Sequence, residues 1–118
     1  MKTFLAVYIG SKTGAAAKKW ESLDAEKRKE LEKAGMNGWM DWVKNNSKSI
    51  VTVGNPLGKT KHISADGISD VTNQHAGYTI VQAENQQEAA KLFLNHPHFT
   101  LFPGDSVEVM ECLPTPGL

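Results

Sequence analysis

Two imidazoles flank a proline in His96-Pro97-His98, and a third, His62, lies between Thr60 and Ser64. Histidine is the side chain that changes charge nearest neutral pH, so these groups are the best suited to accept and return a proton. His96 and His98 follow a helical stretch that Asn95-His96-Pro97 ends. An imidazolium there would also complement the negative end of that helix, a role with no chemistry in it. His62 shares a strand face with Thr60 and Ser64 if that segment alternates, and such a polar face either lines a pocket or meets water. Tyr8 ends an apolar run with a hydroxyl that needs a partner when buried. Trp42 stands on the flank of a helical stripe formed by Met36, Trp39, Met40 and Val43. His96 and His62 are therefore the candidate catalytic acid–base residues, and Tyr8, Trp42 and His98 the candidate ligand contacts. The competing reading of the stripe is a packed helix–sheet core.

Other chemistries find little support. Gly58-Lys59-Thr60 has the end of a phosphate-binding loop, but Val53 stands where the first glycine is needed and no helical segment follows. The histidines lack the accompanying carboxylates of a metal site, so neither a metal nor a cofactor is expected. Asp66 and Asp70 flank a turn and read as turn formers rather than a catalytic pair. The one cysteine, Cys112, excludes an intramolecular disulfide and falls in a strand-like run, where a buried, inert thiol is expected.

The elements that must hold these residues follow from periodicity. Residues 3 to 9 read as a strand, apolar on both faces and hence buried on both. Residues 11 to 46 are helical in character, with Asp24 as the N-cap of a second, charge-rich helix and Gly35 and Gly38 predicting a kink or break within it. Ser49 to Val53 is a strand ended by Gly54-Asn55-Pro56-Leu57-Gly58. Lys59 to Thr72 reads as a polar hairpin about Ala65-Asp66-Gly67, and Gly77 to Ala83 as a core strand. Asn85 caps a short helix with Glu88 three residues on, and Ser106 to Cys112 is the last strand. That order predicts one α+β domain over residues 1–118: a ferredoxin-like βαββαβ sheet with an extra small hairpin and both helices on one face. The apolar second face of strand 1 then calls for a cover, and a second copy of the chain is the economical one.

The chain's 118 residues are enough for one core without a staple. Its 13 Lys+Arg balance 13 Asp+Glu, which argues against a general nucleic-acid or anionic-membrane binder. The balance hides an asymmetry: residues 1–65 hold 12 Lys/Arg and 6 Asp/Glu, whereas residues 66–118 hold one base and 7 acids. Complementary faces within one domain, or a charge-patterned self-association surface, would each account for it. With no signal segment or membrane span in the reading, a cytoplasmic location is the expectation.

Four stretches resemble the YCII-related family, in its DGPF-like branch of small dimeric α+β-barrel proteins. They are Met1-Lys2-Thr3-Phe4-Leu5, Trp39-Met40-Asp41-Trp42, Val53-Gly54-Asn55-Pro56-Leu57, and a long signature from Gly77-Tyr78-Thr79-Ile80-Val81-Gln82-Ala83 through Glu88-Ala89-Ala90 and His96-Pro97 to Gly104-Asp105-Ser106-Val107-Glu108-Val109. The resemblance implies a homodimeric α+β barrel. Two departures bear on chemistry. Asp70-Val71-Thr72-Asn73 replaces the branch's Asp-Gly-Pro-Phe, and His96 occupies the pre-proline position where some relatives carry an acid paired with a histidine on the first helix, which is absent here. That dyad does not transfer as such. The expected function is binding or transforming a small cyclic or aromatic metabolite without a cofactor, by isomerase- or lyase-like proton transfer. The alternative is a non-catalytic dimeric binding protein whose pocket is filled by its own side chains. A cavity holding two or more of Tyr8, Trp42, His62 and His96 would favour the first.

Overall fold

The computed structural model describes residues 1–117. The chain forms β1 (Lys2–Ile9), α1 (Ala15–Glu21), α2 (Ala25–Asn45), β2 (Ile50–Thr52), β3 (Thr60–Ser64), β4 (Gly67–Val71), β5 (His75–Ala83), α3 (Gln86–Lys91), α4 (Pro97–Thr100) and β6 (Ser106–Glu111). Four strands make one antiparallel sheet in the order β2-β5-β1-β6, and β3 and β4 pair separately as a hairpin. The fold is α+β. Among the described residues no helix is long and apolar enough to cross a membrane.

Strand alternation sorts the sheet residues into two faces. Phe4, Ala6 and Tyr8 lie opposite Val81, Thr79 and Gly77, and all six are buried. Trp42 of α2, Ala89 of α3 and Phe93 close over them to make the core. Full burial of a side chain such as Phe4 or Val81 contributes roughly 1.5–3 kcal/mol. The other face carries Leu5, Val7 and Ile9 with Ile80, Tyr78 and Met110 opposite, all at least partly exposed. Strand β1 is therefore fully buried on one side only.

Both capping signals act as the sequence predicts. The Asp24 carboxylate accepts the Lys27 N–H at 2.7 Å, and the Asn85 side-chain oxygen accepts the Glu88 N–H at 2.9 Å. Helix α2, however, runs without a break through Gly35 and Gly38. The phenyl ring of Phe102 lies where a Cβ at Gly35 would project, and Pro97 lies against Gly38. The glycines thus serve close approach of the segment around α4 and not a bend. The same contact rotates the buried face roughly a quarter-turn from the Met-rich stripe: Gly35 and Trp42 are buried, while Met36 and Met40 are exposed.

Two further expectations are corrected. His96 is not a helix C-terminal group: Asn95 takes a left-handed conformation at φ 57°, and the chain restarts as α4 with His96 as its N-cap and Pro97 in its first turn. Cys112 is exposed, one residue past the end of β6, and not buried.

Candidate functional site

Tyr8 ends the buried face of β1 beside a register shift at Tyr8/Ile9. Thr79 donates its hydroxyl to the Val53 carbonyl at 2.8 Å. Its oxygen must then accept from Tyr8, so the phenol donates across the 2.7 Å bond between them. Burial pushes the Tyr8 pKa up to about 12, against the opposing effect of the Thr79 bond, so Tyr8 stays protonated near neutrality.

The two histidines of α4 are held differently. His96 is fully buried, and its Nδ1 accepts the His98 backbone N–H at 3.0 Å. A neutral ring in that role carries its proton on Nε2, which is buried without a partner. Tyr8, Trp39, Trp42 and Phe93 surround it, with Trp39 edge-on at 4.5 Å between ring centres. Burial, with the neighbouring His98 adding to it, pulls the His96 pKa down to about 4. His98 places Nε2 2.8 Å from the Ile9 carbonyl, and a carbonyl only accepts, so that nitrogen bears the proton. The Asp105 N–H donates to the same carbonyl at 2.9 Å, and Gly104 packs so tightly on the imidazole that a Cβ there would overlap it. Burial lowers the His98 pKa, opposed by the Ile9 and Ser106 carbonyls and the Asp105 carboxylate. At neutral pH His98 is an uncharged base whose lone pair is on Nδ1.

These elements border a half-open cavity of about 480 Å³. Its walls are Tyr8, Met36 and Trp39, His98 and Phe102, the β5 segment Ala76–Tyr78 and the turn Val53–Pro56. That turn is fixed by Gly54, at φ 79° and so close to the Tyr78 carbonyl that no side chain fits. A more open groove of about 670 Å³ runs between α3 and β6, past Phe93, Leu94, Phe99 and Val107. It contains no histidine or tyrosine, and its one ionisable side chain is Asp105. Among the described residues no three His, Cys, Asp or Glu side chains are grouped to hold a metal ion.

No family model matches the chain, and no curated protein matches it. Among solved structures it is similar to 5-chloro-2-hydroxyhydroquinone dehydrochlorinase from Burkholderia phenoliruptrix AC1100, determined in complex with 2,5-dihydroxybenzoquinone. The identity is 15% over 92% of this chain and 90% of that one, with a TM-score of 0.49. A likeness at that level assigns no activity here.

Of the residues singled out from sequence, Tyr8 and His98 line the cavity together. His96 lies behind them in the aromatic core. Trp42 is packed in that core too, its indole N–H donating to the Leu92 carbonyl at 2.7 Å, and Trp39 takes the wall position instead. His62 is exposed on the β3–β4 hairpin and is not part of the wall. Of the four residues Tyr8, Trp42, His62 and His96, only Tyr8 reaches the cavity. Sequence reasoning missed Phe102, which no motif marks, and the Ile9 carbonyl, which as backbone leaves no sequence signal. The Gly54 turn was visible as a turn, though not as a wall.

Proposed function

We propose that this chain binds a small cyclic or aromatic metabolite in the cavity between Tyr8, Trp39 and His98 and transfers a proton on it without a cofactor. The observation that supports this is a neutral imidazole fixed by Ile9, with Nδ1 as its basic nitrogen, on the wall of an aromatic cavity. In the proposed step Nδ1 takes the proton of an enolic or phenolic ligand O–H, the oxygen becomes a carbonyl, and the electron pair of the adjacent double bond moves onto a ring carbon. The nearby Asp105 carboxylate favours the imidazolium that results. Return of the proton at that carbon gives isomerisation; expulsion of a leaving group by the electron pair gives elimination. The base is His98 and not His96, whose Nδ1 is engaged in capping α4.

Thermal unfolding at pH 7.5 with a panel of phenols, cyclic enols and lactones tests binding. At least one compound raises the midpoint by mass action, and His98→Gln abolishes the rise. Incubating that compound with the protein in D2O then tests turnover, read as deuterium entering a ligand C–H. A panel without any midpoint shift overturns the reading. A shift without deuterium uptake supports the alternative, a binding protein without catalysis.

The fold behind this function is a ferredoxin-like domain of YCII-related, DGPF-like type with the β3–β4 hairpin inserted, paired as a dimeric α+β barrel. The strand order β2-β5-β1-β6 supports this, with helices joining β1 to β2 and β5 to β6. The pairing is supported by the partly exposed apolar row Leu5, Val7, Ile9, Tyr78, Ile80 and Met110. Light scattering at micromolar concentration gives twice the 12.9 kDa chain mass; the single mass overturns the dimer.

A further inference from the structure

The hydrogen bonds already made around the cavity restrict what can enter it. No Lys, Arg, Asp or Glu is among its lining residues. An ionised ligand would therefore lose part of its hydration without gaining a counter-charge. The Asp105 carboxylate, which acts electrostatically on His98 and accepts the Ser11 N–H at 2.7 Å, would repel an anion further.

The polarity of the wall is equally constrained. Tyr8 gives its proton to Thr79, which gives its own to Val53, so the phenol has no proton left for a ligand. His98 gives its Nε2 proton to Ile9 and keeps only a lone pair, on Nδ1. Tyr8 and His98 thus offer a ligand acceptors and no donors. Trp39 and Asn55 also line the cavity, and neither side chain carries a charge.

We infer that the cavity selects an uncharged ring bearing a hydroxyl, whose O–H donates to His98 Nδ1, and that it discriminates against carboxylates, ammonium ions and rings without a donor. This rests on the proposed binding function and adds the ligand's charge and hydrogen-bonding sense to it. A ring hydroxyl leaves no buried acceptor unpaired, whereas an ether of the same shape leaves the imidazole lone pair without a partner.

Four bicyclic probes of one shape separate the possibilities: 2-naphthol, 2-methoxynaphthalene, 2-naphthoate and 2-(aminomethyl)naphthalene, each titrated calorimetrically into the wild-type protein at pH 7.5. The expected order is 2-naphthol at least tenfold tighter than its methyl ether, with the anion and the cation weaker than either. In the imidazole 15N spectrum, 2-naphthol shifts the His98 Nδ1 signal and the methyl ether leaves it in place. His98→Phe removes the acceptor and brings 2-naphthol and its ether to within about twofold of each other. Equal binding of alcohol and ether to the wild type overturns the donor preference while leaving a binding cavity intact. Preferential binding of the naphthoate or the ammonium probe overturns the charge preference. Absence of binding by all four overturns this inference, while the wider panel of phenols, enols and lactones still decides the proposed function.

Discussion

A buried histidine that cannot take up a proton without losing its place makes stability depend on pH. His96 has a folded pKa of about 4 against an ordinary 6.5. Between those values the unfolded chain binds the extra proton and the folded chain does not, so stability falls as pH drops from 6.5 toward 4 and is fully present above 6.5. The contribution is on the order of 3 kcal/mol across that window. His98 adds to it in the same direction. His96→Asn keeps an N-cap acceptor for α4 and removes the titrating ring. That variant is expected to be less stable than wild type at pH 7.5, because it empties part of the aromatic core, and to show a shallower decline in acid. Urea unfolding of both proteins at pH 7.5, 5.5 and 4.5 checks this. A parallel decline of the two would show that His96 titrates normally in the folded state.

The long helix shows how packing can reverse a propensity. Alanine is about 1 kcal/mol better than glycine inside a helix, so Gly35→Ala ought to stabilise α2 taken alone. In the folded chain the new methyl would overlap the Phe102 ring, and overpacking of that kind costs about 1–3 kcal/mol. The expected result is net destabilisation in the wild-type background and stabilisation in a Phe102→Ala background. A double-mutant cycle by denaturant unfolding measures the difference. Additive effects would mean that α2 and the segment carrying Phe102 do not pack as described. The cavity depends on the same contact, because Phe102 supplies one wall and Trp39, one turn along α2 from Gly35, supplies another.

The molecule as a whole has helices over one sheet face and a half-exposed apolar row on the other. Met110 on β6 is 41% exposed, so Met110→Glu is expected to change the stability of the single chain by no more than about 0.5 kcal/mol. At a two-fold sheet interface it would set two carboxylates into an apolar surface. Light scattering is then expected to give the mass of one chain, with an unchanged circular dichroism spectrum. An unaltered dimer mass in this variant would place the interface away from the sheet face. The β3–β4 hairpin is a separate two-stranded sheet, with Ile63 and Ile68 paired across it at 70% and 74% exposure.

Local chemistry was legible along the chain. Asp24 and Asn85 announced their helices because a capping oxygen acts within three residues, and strand alternation placed Phe4, Ala6 and Tyr8 on one face. The hairpin, the antiparallel α+β class and two of the cavity's residues, Tyr8 and His98, were readable for the same reason. Only the tertiary structure decided which imidazole meets the cavity, which tryptophan forms its wall, and that α2 continues past two glycines. Each of those outcomes depends on partners far away in sequence: the Ile9 carbonyl that orients His98, and the Phe102 ring that turns α2 on Gly35. A sequence pattern records what a residue prefers among its neighbours along the chain. The proton on Nε2 of His98, and hence the lone pair on Nδ1, is set by a backbone oxygen 89 residues away.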